Sequence, residues 1–213
     1  MNYQEDEDTI SCRQVWNEMN DLLSTKKKLV RNFHRCINME EESFVIETEL
    51  FPLAALKVYS AYNLEEPITE DDRSKYFSAH RGGSQGDYHV GMKKKIANVV
   101  DCLYNFPESK RAVLTIPNNP TPDHTSDDDA KCMREIHFYL DNDSSNTTTL
   151  RCLNATVWMR AQAAEIFPKN IHFVGSLMTR IAEQLMEKLA EENSVKVGKL
   201  FYLATALVSV RED

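Results

Sequence analysis

Lys131–Phe173 reads KCMREIHFYLDNDSSNTTTLRCLNATVWMRAQAAEIFPKNIHF, and its pattern decides the fold. Ile136, Phe138 and Leu140 alternate with Glu135, His137 and Tyr139, the period of a half-buried strand, so Cys132 stands just ahead of a strand. The polar run 141–149 breaks that alternation. LRCLNATVWM, residues 150–159, is rich in β-branched and aromatic residues and delivers Arg160 at its far end. The two segments predict an antiparallel hairpin that brings Cys132 and Arg160 close in space. Pro168 then interrupts the chain, and a long amphipathic helix is expected over Ile171–Glu191 with Asn170 at its N-terminal edge.

Working outward, the acidic N-terminus, with Glu5 to Asp8 in a row, reads as a disordered tip over residues 1–10, followed by one domain over 11–213. Ser11 is a suitable N-cap for a helix that puts Val15, Met19, Leu22 and Leu23 on one face. The run from Leu29 to Phe51 mixes Phe, Ile and Val with charges and predicts a strand or two. Pro52 opens LAALKVYSAY, a short helix apolar on most sides and therefore buried. Residues 64–92 carry Glu70-Asp71-Asp72 and four of the six glycines, Gly82, Gly83, Gly86 and Gly91, and read as one long loop. Its RGGSQG lacks the flanking strand and the lysine-serine ending of a P-loop, so a mobile lid is expected instead. Ile96, Val99, Val100 and Leu103 form a helical stripe, with Lys93 to Lys95 on its solvated side. Pro107 to Arg111 turn into the strand AVLTI, which Pro117 ends. Gly198 is expected to end the long helix or start a turn, and LFYLATALVSV to form a final buried strand.

Composition removes several function classes. The net charge is −8, which argues against a nucleic acid polymer as partner because a phosphate backbone demands clustered positive charge. No apolar run approaches a membrane span and no signal peptide pattern precedes the domain, so a cytoplasmic protein without membrane contact is expected. The five cysteines are odd in number and lack C-x-x-C spacing, so they predict free thiols rather than disulfides or zinc ligands. His124 lies beside Asp127 to Asp129, but no second histidine stands at ligand spacing; a solvated loop is expected and no metal.

A cysteine before a strand, a hairpin back to an arginine and a Pro-x-Asn-Ile start to a long apolar helix together resemble the thymidylate synthase and deoxycytidylate hydroxymethylase superfamily. LYNFPESKRAVLTIPNNP, with Pro107, Ser109, Lys110 and Arg111, is similar to that family's Asp-Pro-x-Ser-Arg-Arg turn and the apolar strand after it. The resemblance covers roughly half the chain. It implies an α/β (α+β) fold, a single domain with a thymidylate synthase-like mixed sheet flanked by helices and the 131–160 hairpin at its centre. It also implies a homodimer with the sheets back to back, in which Lys110 and Arg111 contact phosphate across the interface.

The chemistry implied is one-carbon transfer, methylation or hydroxymethylation, at C5 of a pyrimidine nucleoside monophosphate. Cys132 would add to C6 as a thiolate, and Arg160 would hold phosphate and favour that thiolate. Asn170 would read the base, a carboxamide there suiting uracil. A reduced folate would carry the one-carbon unit.

The chain departs from the family at several of these places. Arg160 is followed by Ala161, Gln162 and Ala163, where the family has a serine that binds phosphate and an aspartate that contacts folate. The sugar-reading histidine and tyrosine fall on Val208 and Val210, and Glu49 is the nearest replacement for the glutamate that organises proton transfer. The alternative reading is therefore a catalytically inactive nucleotide-binding or scaffold protein that keeps the dimeric fold.

Overall fold

The computed structural model describes residues 9–24, 28–40, 43–77, 86–117, 131–142, 150–189 and 194–209. Its architecture follows from β7 (Ser194–Val208), a 15-residue strand long enough to take partners along both edges. On one edge it pairs antiparallel with β2 (Leu29–Asn38); on the other it pairs parallel with β5 (Leu150–Met159) and then with β6 (Gln162–Ala163). β5 forms the expected antiparallel hairpin with β4 (Met133–Asn142), and β3 (Val113–Thr115) closes that side. β1 (Ile10–Ser11) runs parallel to β2 at the other edge, giving a mixed sheet of order β1-β2-β7-β5-β4-β3. Thus Ile10, at the end of the expected tip, pairs with Ile37.

One face of the sheet is the core. Rows such as Ile37, Leu200, Ala155 and Phe138, or Phe33, Ala204 and Met159, are cross-strand neighbours and fully or nearly fully buried. Burial of each of the larger side chains in these rows stabilises by about 1.5–3 kcal/mol. The described residues hold five α-helices, in chain order α1 (Cys12–Ser24), α2 (Leu53–Asn63), α3 (Glu70–Tyr76), α4 (Met92–Asn105) and α5 (Phe167–Lys188). α1 starts with a reciprocal cap in which the Ser11 N–H donates to Gln14 Oε1 at 2.8 Å and the Gln14 N–H donates to Ser11 Oγ at 3.2 Å. α5 packs on β7 and against α2 and α4, burying Ile171, Val174, Met178, Ile181 and Leu185 at helical spacing.

The opposite face carries His34, Leu203 and Trp158 in one cross-strand row and Cys36, Phe201, Thr156 and His137 in the next. None of these is fully buried, and Trp158 is 40% exposed.

Three expectations are corrected, and others fall outside the described residues. The 64–92 stretch holds α3, because Thr69 Oγ1 accepts from the Asp72 N–H at 3.0 Å and Glu70, Asp71 and Asp72 favour the positive end of the helix. Gly82 and Gly83 of the expected lid, His124 with its aspartates, and Val210 lie outside the described residues. Pro168 does not interrupt α5 but sits in its first turn, where a missing N–H leaves no bond unmade, so the helix begins at Phe167. Gly198 lies inside β7, where a Cβ would stand 2.3 Å from Asn154 Oδ1; a close approach, not a turn, requires glycine. All five cysteines are free thiols.

Candidate functional site

The hairpin delivers Cys132 and Arg160 together. The Arg160 N–H donates to the Cys132 carbonyl at 2.7 Å, one step beyond the last paired residues, Met133 and Met159. Cys132 is partly buried and Arg160 exposed. Arg160 also marks the point where pairing along β7 passes from β5 to β6, so the chain turns inward immediately after it.

That inward turn buries Gln162, which is 1% exposed and anchors a polar chain. Gln162 Nε2 donates to the Ala163 carbonyl at 2.7 Å, which turns its Oε1 the other way. Oε1 then accepts from the Tyr202 hydroxyl at 2.6 Å and from Asn170 Nδ2 at 2.9 Å. The amide of Asn170 is thereby oriented: its nitrogen is used, and its buried Oδ1 has no hydrogen-bond partner among the described residues. An open buried acceptor costs roughly 1–3 kcal/mol, so it marks a place where a donor is wanted.

Three buried phenols and one buried amine lie within electrostatic reach of the thiol. Tyr59 on α2, Tyr88, Tyr202 on β7 and Lys169 on α5 all lie close enough to Cys132 to feel its charge. Burial pushes the three phenols above their ordinary range, and the Cys132 charge adds to it. On Tyr88 the Arg160 cation works the other way. Burial pulls the Lys169 ammonium down to about 8, opposed by Cys132.

The same groups are held by packing and hydrogen bonds. The Met133 N–H donates to the Tyr88 hydroxyl at 3.4 Å, and the Tyr88 and Tyr59 rings both lie on Phe173, one turn beyond Asn170. Asn63, one turn beyond Tyr59 on α2, fixes the segment 86–88: its Oδ1 accepts from the Tyr88 N–H at 2.6 Å and its Nδ2 donates to the Gly86 carbonyl at 3.4 Å. The Tyr59 hydroxyl donates to the same carbonyl at 2.6 Å.

No protein-family model and no curated protein matches this chain.

The remaining expected residues stand apart. Lys110 and Arg111 are exposed and precede β3; the next carbonyl, of Ala112, accepts from the Phe138 N–H. Cys132 is six positions back along β4, about 20 Å at roughly 3.3 Å per residue. One chain therefore does not bring these two cations to its own thiol. Glu49 is exposed, and Val208 pairs with Ala163 in the β6–β7 ladder. Sequence reasoning missed Lys169, Gln162, Tyr59, Tyr88 and Tyr202. For Lys169 there was a signal: Phe167 to Gly175 is buried without interruption, and a lysine amid FPKNIHFVG has few routes to water.

Proposed function

We propose that the protein is a one-carbon transferase acting on a pyrimidine nucleoside monophosphate through a covalent adduct of Cys132, as a methyltransferase or hydroxymethyltransferase. The thiolate adds to C6, the electron pair of the C5–C6 bond moves onto C5, and C5 attacks a one-carbon electrophile. Arg160 holds the phosphate and its cation favours the thiolate. What carries the reading is the convergence of a thiol and a guanidinium at one end of the hairpin, with the Arg160 N–H on the Cys132 carbonyl at 2.7 Å. The buried open acceptor of Asn170 supports it and suits uracil, whose N3 carries a proton, better than cytosine, whose N3 does not. The folate implied by the resemblance has lost its aspartate at Ala163, which lies in the β6–β7 ladder. The exposed face bearing Trp158, Leu203 and Phe201 supports a homodimer, in which Lys110 and Arg111 act at the partner's site.

The test is release of tritium from C5-labelled uridine and cytidine monophosphates, ribo and deoxy, which reports thiolate addition without any one-carbon donor. Release from a uracil nucleotide, lost in Cys132→Ala, is expected; no release from any of the four overturns the reading.

One observation favours a nucleotide-binding or scaffold protein without catalysis: Val208 sits in the sheet where a sugar-reading histidine would stand. That reading predicts a monophosphate-dependent rise in melting temperature, about 2.7 kcal/mol of stabilisation at a hundred times the dissociation constant, without tritium release.

A further inference from the structure

Lys169 is 3% exposed, and its Nζ stands 4.5 Å from the centroid of the Tyr59 ring. A Cβ at residue 86 would lie 2.8 Å from Nζ and 2.9 Å from the Tyr59 hydroxyl, so the glycine lets both tips sit where they do. The ammonium lies against an aromatic face, which recovers part of what it loses on leaving water. The amine stands next to Asn170 on the first turn of α5 and within electrostatic reach of Cys132. A desolvated amine beside a thiol nucleophile is a group that condenses with carbonyl compounds. Its burial favours the smallest of them, formaldehyde.

We propose that Lys169 is the one-carbon carrier of the site: it takes formaldehyde as an iminium and presents it to the carbon nucleophile that Cys132 creates. The ligand class rests on the nucleotide reading above; the carbonyl-binding amine does not. The Lys169 nitrogen adds to formaldehyde and water leaves, giving Lys–NH⁺=CH₂. C5 of the thiolate adduct attacks the CH₂ carbon, and the π pair returns to nitrogen. The C5 proton then departs to solvent, the amine leaves with a proton of its own, and an exocyclic methylene remains. Water adds to that methylene as the thiolate is expelled from C6, which restores the ring and yields the 5-hydroxymethyl nucleotide. The sum is base plus formaldehyde, with no oxidant or reductant consumed. This accounts for a one-carbon site whose folate contact has become Ala163.

Two measurements test it. In limited reductive trapping with ¹³C-formaldehyde and cyanoborohydride at pH 7, Lys169 is about one-tenth neutral, against about one part in three thousand for an ordinary lysine. Peptide mass spectrometry is expected to find the label on Lys169 well before the exposed Lys196 and Lys199; labelling no faster than those two overturns the proposal. Next, ¹³C-hydroxymethyl product formed from formaldehyde and the nucleotide is measured against tritium released. Lys169→Arg, which keeps the charge and cannot form an imine, is expected to lower that ratio at least tenfold; an unchanged ratio overturns delivery by Lys169. Absence of tritium release from the unmodified protein overturns the nucleotide reading alone, while the trapping result still decides the amine.

Discussion

Replacing Lys169 by methionine is expected to stabilise the protein at neutral pH and to lose that advantage in mild alkali. The folded-state amine titrates near 8, against 10.5 for an ordinary lysine, and the difference corresponds to about 3 kcal/mol of penalty on holding the charged form. Between those two values the unfolded chain binds a proton that the folded chain has released, so the Lys169 contribution makes stability rise with pH across that window. Below pH 8 the penalty is present in full. Methionine removes it and fills similar space, but it forfeits the cation–π contact with Tyr59, worth about 1–2 kcal/mol when desolvated. The net expectation at pH 7 is a gain of about 1–2 kcal/mol, or roughly 2–8 °C in melting temperature for a chain of this size. Cys12, whose thiol burial pushes up to about 12, opposes this in the same region, since the folded state then holds a proton that the unfolded state loses above its ordinary 9. Because both proteins carry Cys12, the difference between them isolates Lys169. Urea unfolding of the pair at pH 7, 8, 9 and 9.5 is the assay. A variant less stable than the parent at pH 7, or a difference that stays constant up to pH 9.5, would refute the desolvation argument.

Further outcomes follow from other parts of the fold. His172, held down to about 4 by burial and by Lys57, must charge on unfolding, so stability falls by about 3 kcal/mol in total as pH drops from 6.5 to 4; acid melts of His172→Gln are expected to show a flatter slope. Gly175→Ala gains about 1 kcal/mol of helix propensity but drives a Cβ to 2.3 Å from the Phe44 ring. Overpacking of about 1–3 kcal/mol decides the sign, so thermal denaturation should show a net loss. Sedimentation of the parent at micromolar concentration is expected to give a dimer and Trp158→Glu a 24.5 kDa monomer; a parent already monomeric removes the role of Lys110 and Arg111 at a partner's site.

The hairpin was legible because Ile136 and Phe138 alternate with half-buried residues in one strand and the other is rich in β-branched and aromatic residues, although the register shift between Met133 and Glu135, next to where Cys132 meets Arg160, left no mark in the pattern. α3 was not, because an acidic run looks the same in a solvated loop and in a first turn; only Thr69 ahead of it distinguishes the two. Pro168 was misread as a break for a similar reason, since the residue that stops a helix from inside also suits its start. At the site, Asn170 could be found from its place before the long helix, whereas what orients it could not: Gln162 and Tyr202 come from strands 40 residues apart. Tyr59 and Tyr88 belong to α2 and to the segment before α4, and only long-range ties make them one wall: Asn63, the Tyr59 hydroxyl on the Gly86 carbonyl, and Phe173 under both rings.

The first two turns of α5 bear on whether this is an enzyme or a relic. They bury Lys169, Asn170 and His172 in succession among apolar neighbours. His172, which packs on Ser60 and Phe44, is satisfied: Ser60 Oγ lies 2.6 Å from its Nδ1 and the Phe44 ring meets it edge-on. At Asn170 the opposite holds, for Gln162 and Tyr202 spend their polarity on orienting its nitrogen and leave its oxygen open. At Lys169 an ammonium faces the Tyr59 ring, beside a glycine at 86 whose missing Cβ leaves both tips room. A fold kept merely as a scaffold would be relieved of both costs by single substitutions to leucine or methionine, each stabilising. Two such costs in adjacent residues, beside the thiol that the hairpin brings to an arginine, are what the proposed one-carbon chemistry would account for.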